Sequence, residues 1–493
     1  MKLFDRGTVQ ALPLPFGVGL MAGGIVVTAS SVIGLLADGD EFAAARLLET
    51  ALGLASIIIG VSLYRLRRKN IAMNRAVAMA MFVATWVGFT AVAIASFWVS
   101  QELDSALDAV FEAVSASTTT GFTTVEDPQQ LSFALRFLRG AMPWATGLGV
   151  LMVSMGVLPV AIAGTELNPE RPLRGKNKIV STSWLALRNI LGLYALLTTT
   201  LAVAYQLAGM TIFDAAVYAL STASTGGMAN HAESIGHFDS TAIEWIAAIG
   251  MAAAGGNLLV VWWAIKGRFD SVWKSTELRL YIGLLVAGFL AVYFGGSNLS
   301  ASESAVAITS MLSTTGLRAA NWADGSQFVV AVLLVGAGFG AMSGSLGSGF
   351  RLARVARIAL EVRRSLQRML TPTRKGVVRI DGVAVSEDSL KLTFGYLWMH
   401  AFTLAGAAVL LYSTNLDLVG TLTFALSLVS NVGVLVDGDQ VVSHVELSGY
   451  TEIIASFTML LGRLSIYPVL LTVTGFARWM RRLLPHKHIG ARA

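Results

Sequence analysis

Long apolar stretches alternate with short polar ones along nearly the whole chain. Runs such as 280–294 and 453–476 hold almost no charge, and the pattern predicts ten membrane spans near 11–37, 47–64, 71–99, 138–163, 180–208, 242–266, 277–296, 326–360, 388–413 and 449–480. A helix needs about 20 mostly apolar residues to cross the hydrocarbon core. Four further segments, about 104–118, 211–224, 300–313 and 416–430, have helical character but are too short to cross.

Composition supports lipid as the solvent. At 493 residues a soluble chain would form about three domains, but 55% of this one is apolar and only 13% charged. Soluble proteins carry about a quarter charged residues. Zero cysteines exclude disulfides, thiolate metal sites and cysteine nucleophiles. The six histidines are scattered, and the six-residue gap between His231 and His237 is a weak pattern for a metal site. The apolar run 12–36 is too long for a signal-peptide core and reads as the first span.

The basic balance of +6 is topological. Of 36 Lys and Arg, 31 fall in the alternate segments 1–13, 64–75, 164–188, 266–279, 351–391 and 478–492; the others are Arg46, Arg136, Arg139, Arg318 and Arg463. The intervening loops carry acids such as Asp104, Asp108, Glu126, Asp127, Asp437 and Asp439, a negative funnel or ordinary loop charge. Positive loops stay inside, which puts both termini in the cytoplasm and leaves nucleic acid no role.

The short segments define an internal repeat. Each precedes a polar turn: Ser-Thr-Thr-Thr-Gly-Phe at 117–122, Ala-Ser-Thr-Gly-Gly-Met at 223–228, Ser-Thr-Thr-Gly-Leu-Arg at 313–318 and Ser-Asn-Val-Gly-Val-Leu at 430–435. Gly121, Gly226, Gly316 and Gly433 mark the four, about a hundred residues apart. Non-helical backbone at membrane depth is tolerated only where it lines a cavity or is buried in protein. Four such turns around one axis would aim carbonyls at a common point, replacing the hydration shell of a monovalent cation. The bland alternative is that these small residues serve close helix packing.

At these residues the chain resembles the Trk/Ktr/HKT superfamily of potassium transporters, the TrkH-type membrane subunit most closely, over about residues 71–482. Two more stretches carry the likeness. Residues 340–354, Gly-Ala-Met-Ser-Gly-Ser-Leu-Gly-Ser-Gly-Phe-Arg-Leu-Ala-Arg, look like the family's glycine-rich break; residues 459–468, Met-Leu-Leu-Gly-Arg-Leu-Ser-Ile-Tyr-Pro, look like its helix with a pore-facing arginine. Leu346, Ser348, Ser465, Val432 and Val434 depart from the usual residues, and Arg318 lies close behind the third turn.

The resemblance implies an all-α polytopic membrane protein of four span–pore helix–span repeats in pseudo-fourfold arrangement, plus an N-terminal helical pair. The expected divisions are 1–70 for the pair, 71–175 and 176–270 for two repeats, 271–380 for the third with its loop and basic linker, and 381–493 for the fourth and the tail. The implied function is potassium uptake across the plasma membrane. The filter would comprise Thr119, Thr120, Gly121, Thr225, Gly226, Thr315, Gly316, Asn431, Val432 and Gly433. The gate would comprise Gly340, Gly344, Ser345, Gly347 and Gly349, with Arg463 as a positive barrier.

Each element also has a plainer reading. Six glycines in 336–349 cannot hold a straight helix at about 1 kcal/mol each; they serve either a moving loop or a close crossing. Arg463 is a barrier, a structural salt-bridge partner or a cap on broken-helix carbonyls. The linker 351–379, with nine basic residues, is a solvated helix drawn to anionic lipid or a dock for a regulator. By resemblance the partners are a second copy, in a homodimer, and a cytosolic ring of nucleotide-binding RCK subunits. The chain has no phosphate-binding glycine motif of its own, so no cofactor is expected on it, and potassium is its substrate. The rivals are a sodium-permeable transporter of the same fold and an ion-coupled carrier of organic solutes. An enzyme is not expected, because no catalytic dyad or metal set lies in the apolar spans.

Overall fold

A computed structural model describes residues 12–66, 75–152, 184–267, 269–296, 298–324, 326–371, 377–381, 383–412, 416–447 and 449–483. The basic segments at 1–11 and 164–183, and the far end of the 138–163 span, lie outside the described residues.

Two long helices, α1 (Pro13–Ala37) and α2 (Ala43–Arg65), open the chain. They cross closely because Gly24 meets Gly53: a Cβ at Gly24 would sit 2.6 Å from the Gly53 carbonyl oxygen. Small residues let backbones approach where lipid offers no hydrophobic drive. Arg46 of α2 is wholly buried at the α1–α2 corner. Its guanidinium donates to Asp38 at 3.1 Å, to Glu49 at 2.7 Å, to Ser132 at 2.7 Å and to Glu102. The acids come from three separate segments, so one cation ties the pair to the rest of the molecule.

Next come α3 (Arg75–Ser100), α4 (Ala106–Ser117), α5 (Phe133–Met152), α6 (Trp184–Leu207), α7 (Ile212–Ser224), α8 (Thr241–Gly255) and α9 (Leu258–Ile265). They are followed by α10 (Phe269–Trp273), α11 (Thr276–Phe294), α12 (Ala301–Ser313), α13 (Gln327–Phe339) and α14 (Leu352–Leu370). The chain continues with α15 (Glu387–Leu411), α16 (Leu418–Ser430), α17 (Tyr450–Arg463) and α18 (Ile466–Leu483). Two antiparallel ribbons accompany the helices: β1 (Arg379–Ile380) with β2 (Val383–Ala384), and β3 (Leu435–Asp437) with β4 (Gln440–Val442).

Among the described residues six helices are long and apolar enough to cross a membrane by themselves. Of the four expected spans missing from this set, 138–163 runs beyond the described residues, and the other three have a physical cause. Three predicted spans are broken: at Gly256–Asn257 between α8 and α9, at 340–351 between α13 and α14, and at Leu464–Ser465, where α17 and α18 bend by 115°.

The short helices α4, α7, α12 and α16 form the buried centre. Each starts on a side-chain cap: Ser105, Thr211, Ser300 and Asp417 accept from the backbone N–H three residues on. Such caps satisfy donors that a helix cannot pair internally. Phe111 and Phe424, on α4 and α16, are fully buried, and Phe122 packs edge-on against Phe424 at 5.0 Å.

Candidate functional site

Each short helix ends in the same way. Thr119, Thr225, Thr314 and Asn431 adopt left-handed backbone at φ 56°, 54°, 59° and 54°. The next N–H reaches back five residues to a serine carbonyl: Thr120 to Ser115 at 2.9 Å, Gly226 to Ser221 at 2.8 Å, Thr315 to Ser310 at 2.9 Å and Val432 to Ser427 at 3.0 Å. This is the Schellman closure, normally built on glycine. Each of these four acceptor-bearing positions stands fifteen residues after its helix cap.

The shared geometry fixes the register of the turns. The residue after each closure has strongly positive φ: Gly121 at 91°, Gly227 at 69°, Gly316 at 85° and Gly433 at 79°. Gly227 therefore takes the glycine place in the second turn, and Gly226 stands where the others have Thr120, Thr315 and Val432. The Thr-Gly-Gly sequence points to Gly226 as the marker of this turn, and the backbone gives that place to Gly227.

The turns form a closed ring. A Cβ at Gly121 would lie 3.0 Å from the carbonyl oxygen of Gly226. Equivalent atoms on Gly227, Gly316 and Gly433 would strike the carbonyls of Thr315, Val432 and Thr120. First meets second, second meets third, third meets fourth, and fourth meets first. Only glycine fits at a positive φ with a carbonyl so close. Among the described residues no hydrogen bond ends on the oxygens of Thr120, Gly226, Thr315 or Val432. Buried carbonyls are normally paired, so four open ones on adjoining turns are acceptors free to meet a positive ligand. The hydroxyls are spent on bracing instead: Thr120 pairs with Thr118 at 2.7 Å, Thr315 with Ser313 at 2.6 Å, and Asn431 donates to Thr120 at 3.0 Å.

Behind the first turn lies a buried ion pair that the sequence did not reveal. Glu112 of α4 accepts from Arg139 at 3.2 Å, from the Thr124 N–H at 3.0 Å and from the Thr123 hydroxyl. Thr123 in turn bonds the segment after the fourth turn, donating to the Ser443 carbonyl and accepting from Val445, each at 3.0 Å. Arg318 is not matched by an acid among the described residues. Its guanidinium donates to the carbonyls of Ala232, at 2.8 Å, and Val441. Burial pushes it down to about 10, partly offset by Tyr218 and Glu233, so it is cationic at neutral pH. His231 and His237 stack ring on ring at 3.7 Å, next to Asp214 and Glu233 respectively.

The glycine-rich break lies against the third turn. Ser348 donates its N–H to the Thr314 hydroxyl at 2.7 Å, and a Cβ on Gly347 would lie 2.5 Å from the Ser313 carbonyl. The ends of the break, Gly340 and Gly349, touch each other. Gly344 is also at positive φ, 81°. Ser345 makes only a local turn, donating to Met342 at 2.6 Å. Arg463, buried at the α17–α18 bend, donates through one nitrogen to the Leu346 carbonyl at 2.9 Å and to the Ser348 hydroxyl at 2.7 Å. Its other two guanidinium nitrogens have no hydrogen-bond partner among the described residues. The capping reading of Arg463 is thus realised in the geometry, with charge left over.

Open carbonyls at the centre of a many-helix membrane protein can replace part of a cation's hydration shell. Residues 49–294 match the family described as TrkH, cation transport protein, and the chain belongs to this family of membrane cation transporters, which are not enzymes. It is 26% identical over 434 residues to the Trk system potassium uptake protein TrkG of Escherichia coli, covering 85% of this chain and 88% of that one. It is 28% identical over 388 residues to the Trk system potassium uptake protein TrkH of Vibrio parahaemolyticus, covering 75% and 79%. The crystal structure of the potassium transporter TrkH from Vibrio parahaemolyticus superposes with a TM-score of 0.82 at 23% identity, over 94% of this chain and 98% of that one. That last likeness bears on the fold.

Proposed function

We propose that the protein takes up potassium across the plasma membrane through a filter made by its four turns. The observation that carries this is the closed ring of unpaired carbonyls at Thr120, Gly226, Thr315 and Val432. Backbone oxygens replace the water around a monovalent cation without binding it too tightly to leave. The relatives named as potassium uptake proteins point to the same ion.

The filter comprises Thr119, Thr120 and Gly121; Thr225, Gly226 and Gly227; Thr315 and Gly316; and Asn431, Val432 and Gly433. The four units follow the divisions 71–175, 176–270, 271–380 and 381–493, around a pseudo-fourfold axis, with 1–70 as a peripheral pair. The break at 340–349 is the gate, and Arg463 stabilises its closed form while placing positive charge beneath the filter. Both termini are cytoplasmic by the charge sorting. The working assembly is a homodimer on a cytosolic nucleotide-binding RCK ring, with anionic lipid along the basic linker.

Rubidium-86 uptake into proteoliposomes holding a potassium gradient tests this, with external potassium, sodium and caesium as competitors. Block by potassium and not by sodium is the expected result. Equal competition by sodium would make the protein a weakly selective cation transporter. No uptake, even with the cytosolic ring added, would overturn the proposal.

A further inference from the structure

One residue of the glycine-rich break, Ser343, is held at its N–H and at its carbonyl by side chains of two other elements. Glu277, at the start of α11, accepts from the Ser343 N–H at 2.6 Å. Asn257, at the α8–α9 break, donates to the Ser343 carbonyl at 2.7 Å. Both side chains are buried, at 2% and 5% exposure. The neighbouring Gly344 leaves room for this: a Cβ there would sit 3.0 Å from the Asn257 amide nitrogen. Around the grip, Met342 donates to the Gly255 carbonyl at 3.0 Å, so the loop also caps the end of α8.

We propose that Glu277 and Asn257 are positioning residues that clamp Ser343 and set the closed position of the loop. The inference rests on the reading of 340–349 as the gate. Arg463 holds the loop at Leu346 and Ser348; the clamp holds it at Ser343, from a different wall. Opening the loop means breaking both attachments. A carboxylate bond to a buried N–H is among the stronger single contacts available, and a buried N–H left without it is costly. The clamp therefore sets how rarely the closed loop lets go.

The test uses the full-length protein in proteoliposomes without its cytosolic ring. Glu277→Ala is expected to raise basal rubidium flux about tenfold and Asn257→Ala about threefold, the sizes of one lost charge-assisted and one lost neutral hydrogen bond. Preference for potassium over sodium should stay as in the wild type, which a loosened or misfolded pore would not preserve. Arg463→Ala serves as the control for the gate reading. If it raises flux while the other two do not, the clamp is wrong and the gate stands. If none of the three changes flux, the gate reading itself fails.

A second measurement does not depend on losing a contact. Because the natural chain has no cysteine, the double variant Asn257→Cys/Ser343→Cys carries one possible disulfide. Oxidation should lower flux about tenfold with full recovery on reduction, since the loop is then tied to the wall it must leave. Flux unchanged by verified cross-linking would overturn the proposal.

Discussion

A β-branched residue in the left-handed region is a poor local choice, costing of order 1–3 kcal/mol, yet Thr119, Thr225 and Thr314 all adopt it. The surrounding burial and the five-residue back-bond hold them there, so the strain is spent on aiming the next carbonyl. Gly227 shows what this aim requires. Gly227→Ala should cut potassium-blocked rubidium uptake by about tenfold or more, since its Cβ meets the Thr315 carbonyl at positive φ. Gly209→Ala is the control, at φ 112° with nothing within 4 Å. Equal loss in both would remove the ring from the explanation. Arg318 gives a second discrimination. If it repelled incoming cations, Arg318→Gln would speed uptake. Its bonds to Ala232 and Val441 instead make it a brace between the segments that leave the second, third and fourth turns, so uptake and melting temperature should both fall. Its folded value near 10 is below that of the unfolded chain. The charge therefore persists throughout pH 6–9, and this group contributes no pH dependence there; stability linked to it would rise only as pH climbs past about 10.

At the scale of elements, the Glu112–Arg139 pair decides how firmly α4 and its turn are seated. Removing either partner leaves a buried charge alone, which costs about 3–5 kcal/mol. Glu112→Ala and Arg139→Ala should each lower the melting temperature in detergent. The paired apolar replacement Glu112→Leu/Arg139→Met should recover most of that loss. No recovery would mean that the hydrogen bonds to Thr123 and Thr124 matter more than the pairing. The short helices and the glycine-rich break were legible in the sequence because their polarity or glycine content stands out. The breaks at Asn257 and Ser465 were not, since one polar residue in an apolar run barely changes its hydropathy. The choice between Gly226 and Gly227 could not be made from the dipeptide. The fifteen-residue spacing from the Thr211 cap decides it, and that ruler appears only once the caps are identified as caps.

For the whole molecule, a many-helix membrane fold was visible in advance, whereas the walls around the break were not. Glu277 reads in sequence as an ordinary acid at the start of a span; its role comes from Ser343, brought to it from 66 residues away. Arg46 makes the contrasting case, a buried charge far from the ring of turns. Arg46→Ala strands Asp38, Glu49 and Glu102 without their shared cation, and the cost should be about 3–5 kcal/mol. Less protein should survive detergent extraction as a single species, while uptake per folded molecule stays at the wild-type level. A fall in uptake per molecule would show that α1 and α2 do more than support.

The ring of turns closes within one polypeptide. In a pore assembled from four identical subunits, every substitution arrives in all four quadrants together, and intermediate designs are closed to selection. Here each quadrant is inherited separately. In the proposed filter Val432 stands where two other turns have threonine and one has glycine, and a single codon change would alter a quarter of the ion's surroundings. Such a pore can drift toward a new ion in small, separately tolerable steps.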